Sequence, residues 1–130
     1  MNETSLTQDL IEMCRTAMPG CVTLKISAQW NNAGYPDLTH TWRRLTSWWE
    51  VKHYDNEKFA SPPLQHVTCR RLAHAGVCHY IIYEERHHRR RTLIVHPELL
   101  DRWEDSADYC DGFNHLWVAR FMAHVHMEAA

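Results

Sequence analysis

The chain has 130 residues, 45% of them apolar, and a formal net charge of -2 at pH 7. That length buries a core without disulfide or metal staples, and the charge excludes a protein that grips nucleic acid with its whole surface, so a polyanion would have to meet a local patch. The apolar runs Val77 to Tyr83 and Leu93 to Val95 fall far short of the roughly 18 residues of a membrane span.

In chain order, Leu6, Leu10, Met13, Cys14 and Ala17 form a helical stripe over residues 5–18, with Ser5 to Gln8 spaced as a capping box and Pro19-Gly20 as the stop. Val22, Leu24 and Ile26 alternate with polar residues and predict a strand over 21–28. After a loop at Asn31 to Pro36, Asp37 is placed to cap a helix carrying Leu38, Trp42, Leu45 and Trp49 on one face, with Trp48 at its edge. Following a polar stretch from Tyr54 to Ala60, Ser61 is the expected cap of a helix over 62–75 that buries Leu64, Val67, Leu72 and Ala75, ends at Gly76 and projects Arg70 and Arg71 outward. Residues 77–84 and 92–96 are β-branched and aromatic and flank a polar tip, Arg86-His87-His88-Arg89-Arg90, as in a hairpin. Pro97 opens a helix through Leu99, Leu100, Trp103 and Ala107, and Phe113, Trp117, Phe121 and Val125 mark a last one.

Met1 to Ser5 has neither the basic start nor the apolar core of a secretory signal. Cys14, Cys21, Cys69, Cys78 and Cys110 lack the paired spacing of a disulfide framework. The expectation is a single cytoplasmic domain over 1–130, with reduced thiols and no membrane contact.

Charge is segregated. Arg70, Arg71, Arg86, Arg89, Arg90 and Arg91 stand against Glu84 and Glu85, whereas from residue 97 onward seven acids face only Arg102 and Arg120. The run Val67 to Val77, with its Leu72-Ala73-His74-Ala75-Gly76-Val77 ending, and the element order around it resemble the winged helix-turn-helix family. The resemblance implies an α+β fold of four or five helices with a small antiparallel sheet, made of strand 21–28 and hairpin 77–96. It further implies a recognition helix in the major groove and a wing on the backbone. Arg70, Arg71, Arg86, His87, His88, Arg89, Arg90 and Arg91 are then the nucleic-acid contacts, because guanidinium forks pair with phosphate and guanine edges. The competing view of the tip is a solvated cap that keeps edge strands from pairing.

Other chemistry finds little support. Cys69, His74, Cys78 and His79 lack the tight paired spacing of structural zinc, His87-His88 lie among arginines, and His124 and His126 cannot share a helix face. Cys78-His79 carries no local signature of a nucleophile and its base. There is no glycine-rich phosphate loop, no H-E-x-x-H, and no paired-carboxylate motif on an evident scaffold. No catalytic residue, metal or cofactor is therefore expected. The sequence favours a small DNA-binding regulatory or accessory protein, acting on double-stranded DNA as a homodimer. The alternative is a non-enzymatic inhibitor or adaptor of phage or mobile-element type, meeting a host protein through Trp48, Asp105, Asp108 and Asp111.

Overall fold

In the computed structural model, which describes residues 2–55 and 62–129, the first helix, α1 (Glu3–Ala17), starts earlier than the periodicity predicts. Asn2 is its cap: the Asn2 side chain accepts from the Ser5 amide at 2.9 Å, and the Ser5 hydroxyl accepts from the Asn2 amide at 3.2 Å. The capping box therefore lies three residues upstream of the expected one. Strand β1 (Val22–Lys25) is shorter than expected, because Ser27 opens a short helix, α2 (Ala28–Asn32).

The largest departure is at residues 37–52, where the expected helix is an antiparallel hairpin of β2 (Leu38–Trp42) and β3 (Leu45–Tyr54). Leu38, Trp42, Leu45 and Trp49 fit a helical period, but the chain between them is rich in threonine and tryptophan, which favour strands. Within β3 the true period is two: Ser47, Trp49 and Val51 are buried on one face, while Trp48, Glu50 and Lys52 line the other. The turn is Arg43-Arg44, with φ of 54° and 69°. Two-residue hairpins of this kind usually announce themselves with Asn-Gly, and arginine gives no such signal.

Helix α3 (Pro63–Ala75) forms where predicted but is rotated: Gln65 and Cys69 are buried, whereas Leu64, Val67 and Ala75 are exposed and Leu72 is half-buried. It follows Pro62, and the expected Ser61 cap lies outside the described residues. Among the described residues the element before α3 is a strand, so α3 has no helix-turn-helix partner there and instead connects the parallel strands β3 and β4. That connection removes the winged-helix architecture. Hairpin β4 (Val77–Arg86) and β5 (Arg89–Val95) forms as predicted, though its strands run into the arginine tip and only His87-His88 turn, at φ 53° and 61°.

The helix expected from Pro97 breaks into a 3₁₀ turn (Pro97–Arg102) and α4 (Trp103–Ser106); β6 (Asp108–Asp111) and α5 (His115–Glu128) follow. The six strands form one mixed sheet in sequence order, parallel only between β3 and β4, in place of the small antiparallel sheet expected. Helices α1 and α5 cover one face through Leu6, Leu10, Trp49, Val51, Val118 and Met122. On the other, Cys69, Tyr80, Ile82, Leu93, Leu100 and Trp103 pack beneath α3 and α4. The fold is α+β, with five α-helices among the described residues. No helix among them is long and apolar enough to cross a membrane.

Candidate active site

Charged side chains interrupt the apolar sheet where β2 and β3 meet the first turn of α3. Glu50 and Lys52 stand two residues apart on the α3 face of β3, only 2% and 8% exposed. Asp37 enters β2 directly opposite: its amide donates to Glu50 Oε1 at 2.9 Å, and its Oδ2 accepts from the Val51 amide at 2.9 Å. Asp37 Oδ1 accepts from Asn31 Nδ2 at 3.1 Å. Lys52 Nζ lies 3.0 Å from Glu50 Oε2 and donates to Gln65 Oε1 at 3.0 Å. Glu3, the first residue of α1, stands at the rim, and the whole group opens onto a cleft of about 310 Å³.

Electrostatically the cluster holds more acid than base. Burial pushes the Glu50 carboxyl up to about 8, with Asp37 adding to the shift and Lys52 opposing it. Glu3 is also raised, by desolvation first, with Lys52 opposing and Asp37 adding. Two adjacent carboxylates, one of them with its pKa raised chiefly by burial, are matched to an incoming cation. Among the described residues no three His, Cys, Asp or Glu side chains form a ready-made cation cage. The donor set fits Mg²⁺ instead, which keeps several waters and takes one or two carboxylates plus substrate phosphates. Asp37 and Glu50 would hold it, with Glu3 within the same cleft.

None of these residues was singled out from the sequence as catalytic. The available signal was Pro36-Asp37 before one strand and Glu50-Val51-Lys52 inside the next: an acid and a lysine sharing the face of a strand that otherwise reads Trp-Trp-Val. Reading residues 37–52 as a helix scattered them over different faces.

The residues expected to meet nucleic acid lie elsewhere. Arg70 and Arg71 are exposed on α3, and Arg70 Nε lies 3.3 Å from Glu98 Oε1. At the hairpin tip Arg86 pairs with Glu104 at 3.1 Å and stacks 4.7 Å from the Tyr54 ring, Arg89 meets Asp111 at 3.3 Å, Arg90 meets Glu85 at 3.1 Å, and Arg91 donates to buried Glu84 at 2.6 Å. His87 and His88 are exposed in the turn. The acidic C-terminal third and the basic tip, read apart in the sequence, are thus joined. Asp105 lies in α4, Asp108 and Asp111 stand at the two ends of β6, and Trp48 is half-buried on β3.

No protein-family model and no curated protein sequence matches the chain. Among solved structures it is similar to the Holliday junction resolvase Hjc of Archaeoglobus fulgidus, a hyperthermophilic archaeon, at 16% identity and a TM-score of 0.58, over 89% of this chain and 98% of that one. The likeness corrects the expected architecture: the fold is not a winged helix, and the readings as a regulatory DNA binder or a non-enzymatic inhibitor, which rested on that architecture or on the absence of a catalytic motif, stand against a fold shared with a protein that is a resolvase. The chain shares the fold of that resolvase.

Proposed function

We propose that the protein is an enzyme that hydrolyses DNA phosphodiester bonds with a divalent cation held at Asp37 and Glu50. The observation that carries the reading is the convergence of Asp37, Glu50 and Lys52 in one cleft, on a fold shared with a resolvase. When bound, such an ion supplies Lewis-acid polarisation of the phosphoryl oxygen and acidifies a water. The chain's own groups do the rest. Lys52, braced by Glu50 and Gln65, is a fixed positive charge for the oxygens on which charge grows, and a preorganised charge needs no rearrangement during the reaction. Asn31 and the Val51 amide lock the orientation of Asp37. Burial favours the protonated form of Glu50, which must be given up when a cation binds, so metal binding and cleavage are favoured as pH rises.

The arginines enter as backbone contacts. Arg86 lies four residues beyond Ile82, the register partner of Lys52, or roughly 13 Å along the strand. A duplex or branch arm seated in the cleft passes that tip, and Arg70 and Arg71 lie on the same helix as Gln65. A homodimer is part of the proposal: Val22 and Leu24 are 51% and 53% exposed on edge strand β1, an open edge of the kind that self-association covers.

The test is cleavage of labelled four-way junction, linear duplex and single-stranded DNA with Mg²⁺ or Mn²⁺. Wild type should cut at least one of them, and Asp37→Ala, Glu50→Ala and Lys52→Ala should each be reduced by about 10²-fold or more while remaining folded. Cleavage that survives Asp37→Ala, or its absence from wild type on all three, overturns the reading.

A further inference from the structure

Beside the acidic cleft is a second cavity of about 300 Å³, lined by Ile26, Trp30, Tyr35 and Trp48 and almost wholly apolar. Its rings are arranged and open to solvent: Trp30 meets Tyr35 edge-on at 5.7 Å, Tyr35 lies 5.6 Å from Trp48, and Trp30 is 56% exposed. A large aromatic surface left in water on a short helix is not explained by core packing.

The cavity is built from the same two segments as the cleft. Tyr35 precedes Asp37 by two residues, and Trp48 precedes Glu50 by two on the same face of β3. Two residues of chain reach at most about 7 Å, so the aromatic slot lies within about one or two nucleotides of the carboxylates. Asn31 ties them together, donating to the Tyr35 carbonyl at 2.8 Å and to Asp37 Oδ1 at 3.1 Å. Gly34, at φ 104°, sits against α3 so closely that a Cβ there would lie 2.9 Å from Leu64 Cγ. The loop carrying Trp30 and Tyr35 is thereby held against the scaffold, and the slot is preformed.

We infer that Trp30, Tyr35 and Trp48 form a stacking slot for one unpaired nucleobase flanking the phosphodiester bond presented to Asp37 and Glu50. The inference rests on the proposed cleavage of DNA for its choice of occupant. Every base has a π-face, so the slot accepts any of the four, but a base stacked within continuous duplex cannot enter without leaving its neighbours. The substrate class is therefore DNA with unpaired nucleotides at the reacting position: a single strand, a flap, or the opened bases of a branch.

Binding of a single-stranded oligonucleotide carrying one 2-aminopurine, followed by fluorescence without divalent metal, tests the slot independently of catalysis. Wild type should quench the probe and bind it at least ten-fold more tightly than a blunt duplex of the same sequence. Trp30→Ala, a change at an exposed ring that leaves the core intact, should lose about ten-fold in affinity, and Trp30→Phe should recover most of it. Equal affinity for single strand and duplex, or Trp30→Ala binding like wild type, overturns the inference. If the probe is quenched as expected while no DNA is cut with Mg²⁺ or Mn²⁺, the slot stands and the cleavage reading falls.

Discussion

Two clusters of acid and base among the described residues, one at the hairpin tip and one in the cleft, are built oppositely. At the hairpin tip, acid and base are matched: Glu84 is met by Arg91 and Arg86, Glu85 by Arg90, and Glu104 by Arg86. The consequence is stabilised charge. The hydrogen bond from Arg90 holds Glu85 below the usual carboxylate range, and that from Arg86 does the same for Glu104. In the cleft, Lys52 pairs with Glu50 while Asp37 stands beside them held by Asn31 and the Val51 amide, and burial drives Glu50 the other way, up to about 8. A satisfied cluster is a structural clamp, whereas an over-acidic one is destabilising until something positive arrives. The density of charge, which drew the sequence reading to the tip, marks neither.

The comparison breaks most decisively in cleavage. Asp37→Asn or Glu50→Gln should lower DNA cleavage by about 10²–10³-fold, whereas the triple Arg89/Arg90/Arg91→Ala variant should lower it less than ten-fold at low salt. Single-turnover rates on saturating DNA make the test. Comparable losses at the two places would mean that the tip belongs to the reacting centre.

How much of this was legible depends on the residue. Hairpin β4–β5 was readable because a continuous apolar strand buried on both faces, Tyr80 to Tyr83, leaves few alternatives. Helix α3 was readable in extent but not in rotation, since Leu64 and Val67 stay exposed while Gln65 turns inward to hold Lys52. β2–β3 was not readable: Arg43-Arg44 takes left-handed backbone with none of the residues that favour it, so no break separated Trp42 from Leu45. The site was lost with that hairpin, because Glu50 and Lys52 become neighbours only at a two-residue period. β6 was missed because Asp108 and Asp111 carry no strand propensity; its pairing with β5 fixes it.

The second way to sharpen the comparison is pH. Glu50 has a folded-state pKa raised to about 8, so between about 4.5 and 8 the folded chain binds a proton that the unfolded chain releases. Stability of the metal-free protein therefore falls as pH rises through that window, by on the order of a few kcal/mol. Mg²⁺ should raise Tm more at pH 8 than at pH 6, and Glu50→Gln should remove both the alkaline decline and the Mg²⁺ effect. On the acid side the sign reverses. Burial lowers His40 and His79 to about 4, so they hold stability that is fully present above about 6.5 and lost as pH falls toward 4. Metal-free thermal melts between pH 4 and 9 should thus peak near neutrality; a profile flat above pH 7 would contradict the over-acidic cleft.

A smaller effect tests whether the tip is a clamp. The 2.6 Å bond from Arg91 is a principal partner of the Glu84 carboxylate, which is 4% exposed. Arg91→Ala leaves that carboxylate with Arg86 at 3.6 Å, and should cost about 1–3 kcal/mol of stability in chemical denaturation. Catalysis by the folded fraction should change little. No loss of stability would mean that the arginines are ornaments of the surface rather than fasteners of β4, β5 and α4.

The smallest expected effect separates fastening from DNA contact. Arg89 and Asp111 are 67% and 82% exposed in their side chains, and a pair so wet is worth about 0–1 kcal/mol. Asp111→Asn should leave Tm nearly unchanged while freeing the Arg89 guanidinium. A phosphate that competes for Arg89 then no longer has to displace a carboxylate, and each phosphate neutralised adds about 0.9 to the slope of log affinity against log salt on duplex DNA. Affinity for a duplex arm should therefore rise modestly at low salt and the slope should steepen by up to about one contact. If neither moves, Arg89 does not reach the backbone, and the path of bound DNA runs from the cleft toward Arg70 and Arg71 on α3 instead of along the hairpin.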